Sequence, residues 1–134
     1  MFFSNKNKKG NFEKIAALLI HAARIDQDFS KDEEEIIEKT LLQIGVKKEN
    51  IEEVLQEGKK IESDSNQILE FTKEIKRMKD SDKLEIIKSL WKIIYSNNEA
   101  DIYETGLMRR LAGLLYIDSK TMGDIKEAIK KENI

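Results

Sequence analysis

Seven carboxylates stand in the thirteen residues from Asp26 to Glu38 (Asp26, Asp28, Asp32, Glu33, Glu34, Glu35 and Glu38), opposed by a single base, Lys31. A second acidic stretch holds Glu99, Asp101 and Glu104, with no base between Ser96 and Glu104. Hard cations such as calcium and magnesium take several oxygen ligands, and clustered carboxylates supply them. Carbonyls at the end of a preceding helix lack intrahelical donors and can add to such a set. The N-terminus of the following helix works against a cation, so its first-turn acids must outweigh that dipole. The string Asp26-Gln27-Asp28-Phe29-Ser30-Lys31-Asp32 invites comparison with an EF-hand loop. The comparison fails at the sixth position, Lys31, where glycine makes the sharp turn, and at the twelfth, Ile37, where a bidentate glutamate belongs. A simpler reading needs no ligand. Acids at a helix start cap it and favour its dipole, and acids further along form a solvated face.

Most other chemistry is excluded by residue type. The chain has no cysteine and one histidine, which removes thiolate nucleophiles, disulfides and zinc sites built from several imidazoles. A serine nucleophile would have only His21 as an imidazole base. No Glu-x-x-His pair and no phosphate-cradling glycine loop occur. His21 could join Asp26 at a cation, but a lone helical histidine is ordinarily a packed or half-exposed side chain. Trp91 and Tyr95, one turn apart, read as core. The basic run Lys73-Glu74-Ile75-Lys76-Arg77-Met78-Lys79 reads as a solvated face, and the net charge of −2 argues against nucleic acid as a partner. The expected protein is not an enzyme. A magnesium-dependent enzyme using the acidic cluster remains a further alternative.

The elements that must position the acids are helices. The 134 residues suit one domain, and zero prolines with six glycines point away from a turn-dense β fold. Apolar residues recur at helical spacing almost throughout. The spacing predicts helices over about Phe12–Ile25, Lys31–Ile44, Lys48–Glu62, Ser65–Lys79, Asp82–Ser96, Ile102–Tyr116 and Ser119–Lys131. The first and fifth are apolar nearly all round and should be central. Gly45 suits a helix stop, whereas Gly58 falls inside the third helix and weakens it. Ser30-Lys31-Asp32-Glu33, Asp64-Ser65-Asn66-Gln67 and Asp101-Ile102-Tyr103-Glu104 read as capping boxes. Residues 1–11 read as a flexible basic arm and residues 12–134 as one helical domain. No apolar run is long enough for a signal peptide or a membrane span, so a cytoplasmic protein is expected.

The chain also repeats weakly. HAARIDQDFSKDEEEIIEKTLLQIGV aligns without a gap to KIIYSNNEADIYETGLMRRLAGLLYI, so that Glu33 faces Glu104, 71 positions on. Ser30 then faces Asp101, and Asp28 faces Glu99. Both copies read helix, acidic loop, capped helix, which predicts two pseudo-symmetric helix–loop–helix halves packed through their central helices.

These two copies, Ile25-Asp26-Gln27-Asp28-Phe29-Ser30-Lys31-Asp32-Glu33 and Ser96-Asn97-Asn98-Glu99-Ala100-Asp101-Ile102-Tyr103-Glu104, resemble the twice-used A-D-G-x-I-S/D-x-x-E loop of the tellurite resistance protein B (TerB) family. The segment Leu107-Met108-Arg109-Arg110-Leu111-Ala112-Gly113-Leu114-Leu115 is similar to the family's stretch after its second loop. The N-terminal domain of a membrane-anchored DnaJ-like co-chaperone is related to the same family. The resemblance covers about Phe12 to Lys131. It implies a compact all-α bundle of about seven helices and a cytoplasmic, stress-associated protein. That protein would work with protein partners in a complex at the inner face of the membrane. It also implies a divalent cation, calcium or magnesium, at the two acidic loops, with Asp26, Asp28, Glu33, Glu99, Asp101 and Glu104 as ligands. The family's Asp-Gly pair is Asp26-Gln27 in one copy and Asn97-Asn98 in the other, which removes a glycine from both loops and an anionic ligand from the second. The alternative is a purely scaffolding helical domain whose acidic loops only cap helices.

Overall fold

The structure, a computed structural model, describes residues 2–24, 31–64, 68–95 and 102–132, with the side chains of residues 2–11, 68–70, 74 and 102–105 outside that description. The described residues form seven α-helices: α1 (Phe2–Arg24), α2 (Lys31–Gln43), α3 (Ile51–Asp64), α4 (Ile68–Lys76), α5 (Asp80–Tyr95), α6 (Ile102–Leu114) and α7 (Ser119–Glu132). A single 3-10 turn, Lys48–Asn50, leads into α3. No strand occurs among the described residues, and the architecture is a compact all-α bundle as expected.

The middle of α1 is the centre of the core. Ile15, Ala16, Ala17, Leu18, Leu19 and Ile20 are all fully buried, so the helix has no solvent face over these positions. It packs against α2, α3, α4 and α5. Its small residues decide how near α3 can come. A Cβ placed on Gly58 would lie 2.8 Å from the Ala16 Cβ and 3.2 Å from the Ala17 amide nitrogen. The glycine that weakens the sequence pattern of α3 is therefore the residue that permits this crossing. Helix α5 is the second buried element, with Ile86, Ile87, Leu90, Trp91, Ile93 and Ile94 all in the core, and it packs against α1, α2 and α7. Between α2 and α5 the hydroxyls of Thr40 and Ser89 hydrogen-bond to one another, each also lying near the carbonyl one turn back, Ile36 O at 2.8 Å and Glu85 O at 3.0 Å. Pairing removes the cost of burying two hydroxyls in an apolar interface.

Element ends recur at the spacing of the repeat. Helices α2 and α6 are both 13 residues long and start at Lys31 and Ile102, 71 positions apart. Both end in the same Schellman turn, which satisfies carbonyls the last turn leaves free. Val46 N–H donates to Leu41 O at 2.9 Å in the first, and Ile117 N–H donates to Ala112 O at 2.9 Å in the second. The left-handed residue is Gly45, φ 118°, in the first and Tyr116, φ 58°, in the second. That conformation ends α6 at Leu114, two residues before the end predicted from apolar spacing. The elements that follow start differently. Asp118 caps α7 by accepting the Thr121 amide at 2.6 Å, whereas Lys47, its counterpart, offers no side-chain cap and a 3-10 turn precedes α3.

Two sequence expectations meet a different backbone. Helix α1 is described from Phe2, upstream of the start at about Phe12 that apolar spacing predicts. No proline blocks propagation upstream of Phe12, and each added residue of a nucleated helix gains a hydrogen bond. Asp64, expected to cap the fourth helix, instead closes α3, and α4 is described from Ile68. The boxes at Ser30 and Asp101 begin outside the described residues.

Candidate functional site

The acidic stretches connect corresponding helices, α1 to α2 and α5 to α6. Asp26 and Asp28 lie in residues 25–30, and Glu99 and Asp101 in residues 96–101, all outside the described residues. Glu104 is placed in the first turn of α6 by its backbone, its side chain lying outside the description. Glu33, in the first turn of α2, is therefore the one candidate ligand whose side chain can be located. It is 2% exposed and has an interaction partner of its own. A carboxylate this deeply buried requires compensation by charge or hydrogen bonds, which a helix N-terminus partly gives. The other acids of α2 divide as a solvated face would: Asp32 and Glu35 are exposed, Glu34 and Glu38 half-buried. Ile37, where an EF-hand glutamate would stand, is fully buried in the core. Among the described residues no three histidine or carboxylate side chains gather in a way that could hold a metal ion.

The remaining candidates fall into the packing of the helices. His21 Nδ1 stands 3.4 Å from Glu62 Oε2, and Arg24 donates to Glu62 Oε1 at 2.7 Å, so the polar end of α1 is tied to α3. Trp91 and Tyr95 stack with ring centroids 5.9 Å apart and planes at 24°. The Trp91 indole N–H donates to the Met122 sulfur at 3.3 Å across the α5–α7 interface, and Lys126 Nζ lies 5.6 Å from the indole centroid. Burial, with the nearby Glu127 carboxylate adding to it, pushes the Tyr95 phenol above its ordinary 10.0. Arg109 and Arg110 are exposed on α6. Lys73, Lys76, Arg77 and Lys79 are exposed around the end of α4, while Ile75 between them is fully buried.

One residue with a distinctive setting escaped the sequence pattern. Tyr116 is 75% exposed at the end of α6, with Lys76 Nζ 4.5 Å from its ring centroid. It borders a shallow cleft of about 180 Å³ shared with Asp80, Lys83, Leu84, Ile117 and Asp118. Lys83 Nζ approaches the Leu115 carbonyl at 3.5 Å, and the Asp118 carboxyl is held below its ordinary 3.8, chiefly by the Thr121 amide and hydroxyl. The repeat alignment carried the signal, since it sets Tyr116 opposite Gly45. Helical periodicity hid it by counting the tyrosine as the last residue of the helix.

None of the described helices is long and apolar enough to cross a membrane. No curated protein and no solved structure matches the chain. The family model for the tellurite resistance protein TerB does match, over residues 12–127, a span from α1 to the last turns of α7 that includes both acidic loops. With all but the ends of the chain inside that match, and with an all-helical bundle as its fold, the chain belongs to the TerB family.

Proposed function

We propose that this chain is a non-enzymatic, stress-associated protein-interaction module of the tellurite-resistance kind, working in the cytoplasm with protein partners. The family match over residues 12–127 carries the reading. A core assembled from every helix is in keeping with a module that folds by itself before meeting a partner. Affinity capture with the tagged chain, from cells grown with and without tellurite, tests it. A stoichiometric partner identified by cross-linking is the expected result. Turnover of a substrate that depends on magnesium would replace the proposal with an enzyme.

A divalent cation ordering the two acidic loops is the finer form of this reading, and the clustering of carboxylates in both loops is what supports it. Asp26, Asp28, Glu33, Glu99, Asp101 and Glu104 would supply the oxygens for calcium or magnesium. The test is thermal unfolding with millimolar calcium, magnesium or manganese, beside an Asp26→Asn/Asp28→Asn variant. An ion at a hundred times its Kd stabilises by about 2.7 kcal/mol. That corresponds to a rise on the order of 5 °C in a domain of this size. A rise confined to the parent chain is expected. No rise with any of the three ions sinks the cation and leaves the acids as caps and solvated surface.

A further inference from the structure

We propose that the chain associates with itself head to tail, the acidic face of α2 in one copy docking on the basic surface that α4 and α6 present in the next. This self-association is separate from the partner and cation readings above. On α2, Asp32, Glu35, Lys39 and Leu42 are exposed, and Glu34 and Glu38 are half-buried. Glu35, Glu38 and Leu42 follow one another at spacings of three and four, which sets them on one side of the helix. The buried side of α2 packs against α1, α3 and α5. The basic surface is built from two helices in contact. Lys73, Lys76, Arg77 and Lys79 are exposed around the end of α4, and Arg109 and Arg110 are exposed on α6, against which α4 packs. The Lys76 ammonium over the Tyr116 ring joins the ends of these two helices.

Charge complementarity selects the occupant. No ion pair among the described residues engages Glu35, Glu38, Lys73, Arg77, Arg109 or Arg110. Opposite charges are thus gathered on different helices and left unmatched within one chain, an arrangement that steers two copies together. Two large apolar side chains stand exposed among the described residues, and each surface has one: Leu42, 44% exposed, on the acidic face, and Tyr116, 75% exposed, beside the basic one. Charged pairs around an isolated apolar contact make a weak interface that salt dissolves. A second copy brings both complements at once, whereas the net charge of −2 opposes a long polyanion such as RNA or an anionic membrane. Two different surfaces meet, so the contact is heterologous and builds a ring or an open chain of copies.

The test is sedimentation velocity over a concentration series of the parent chain, in EDTA so that no cation at the loops takes part. It is run at about 20 mM and about 500 mM salt, where the screening length falls from about 20 Å to about 4 Å. At low salt the weight-average mass should rise with concentration beyond that of a dimer, and at high salt it should return to the monomer's. Glu35→Lys/Glu38→Lys and Lys73→Glu/Arg77→Glu should each associate at least about tenfold more weakly. The chain carrying all four reversals has the parent's net charge and should associate again. Glu52→Lys/Glu57→Lys moves the net charge as far as the α2 variant does, at exposed positions of α3, and should leave association unchanged. Helical circular dichroism equal to the parent's shows that each variant is folded. A parent that stays monomeric throughout the low-salt series overturns the proposal, and so does association indifferent to salt. A loss that the α3 variant shares, or that the four reversals together fail to repair, also overturns it. So does binding of an RNA oligonucleotide or of phosphatidylserine vesicles through Lys73 and Arg77 by a chain that remains monomeric.

Discussion

Gly58 of α3 lies so close to Ala16 of α1 that a methyl group on the glycine would stand 2.8 Å from the alanine Cβ. Helix propensity alone would favour alanine at position 58 by about 1 kcal/mol. The clash reverses the sign, because the Ala17 amide nitrogen, at 3.2 Å, belongs to a helix backbone buried on all sides. Gly58→Ala is expected to lose about 1–2 kcal/mol net. Its midpoint in thermal unfolding should fall by roughly 3–8 °C. Ala16→Gly in the same chain should restore part of the loss. An unchanged or raised midpoint for Gly58→Ala alone would show that the helices can separate at no cost.

The unequal starts of α3 and α7 offer a gain of stability. Lys47 has extended backbone, φ −71° and ψ 142°, the conformation an N-cap requires, but no side chain that can accept. Lys47→Asp should stabilise by about 0.5–1 kcal/mol, in the way Asp118 caps α7. Asp118→Ala should act in the opposite direction. Asp118 has a depressed folded pKa, so its stabilisation is present above 3.8 and is lost as pH falls below that value through the folded pKa. Asp118→Asn keeps an acceptor but does not titrate. Denaturant melts at pH 6 and pH 3 should therefore show the parent's advantage over Asp118→Asn shrinking at the lower pH. An advantage independent of pH would mean that the carboxylate charge adds nothing to the cap.

Tyr95 gives the reverse dependence. Its folded pKa is raised above 10.0, first by burial and then by Glu127, so folding favours the protonated phenol. The stability it gives is intact below pH 10 and declines as pH rises through the folded pKa. Measured between pH 9 and 11, the parent should lose stability faster than Tyr95→Phe, and phenol absorbance should show one tyrosine titrating late. Parallel decline in the two chains would place Tyr95 in a solvated setting.

The bundle could be read from apolar spacing because a helix buried on one or all sides writes its period directly into the chain. The start of α2 at Lys31, of α6 at Ile102 and of α7 at Ser119 fell where polar first turns meet apolar stripes. Gly58 was opaque for a physical reason: a glycine inside a helix looks like a fault until the neighbouring Ala16 and Ala17 are seen to need the space. Tyr116 was opaque because left-handed backbone has no apolar signature when the residue is not glycine. The acidic loops were the clearest chemical feature of the sequence. The structure locates the side chain of one candidate ligand, Glu33, and puts Ile37, the twelfth position of an EF-hand comparison, in the core.

Helix α1, fully buried from Ile15 to Ile20, packs against α2, α3, α4 and α5, helices drawn from both of the aligned stretches and from between them. The two aligned stretches therefore share one core and are not separate packing units. Cutting between the copies would leave a fragment whose middle helix is greasy on every side, the kind of surface that drives aggregation. Denaturation is accordingly expected to run as one cooperative transition.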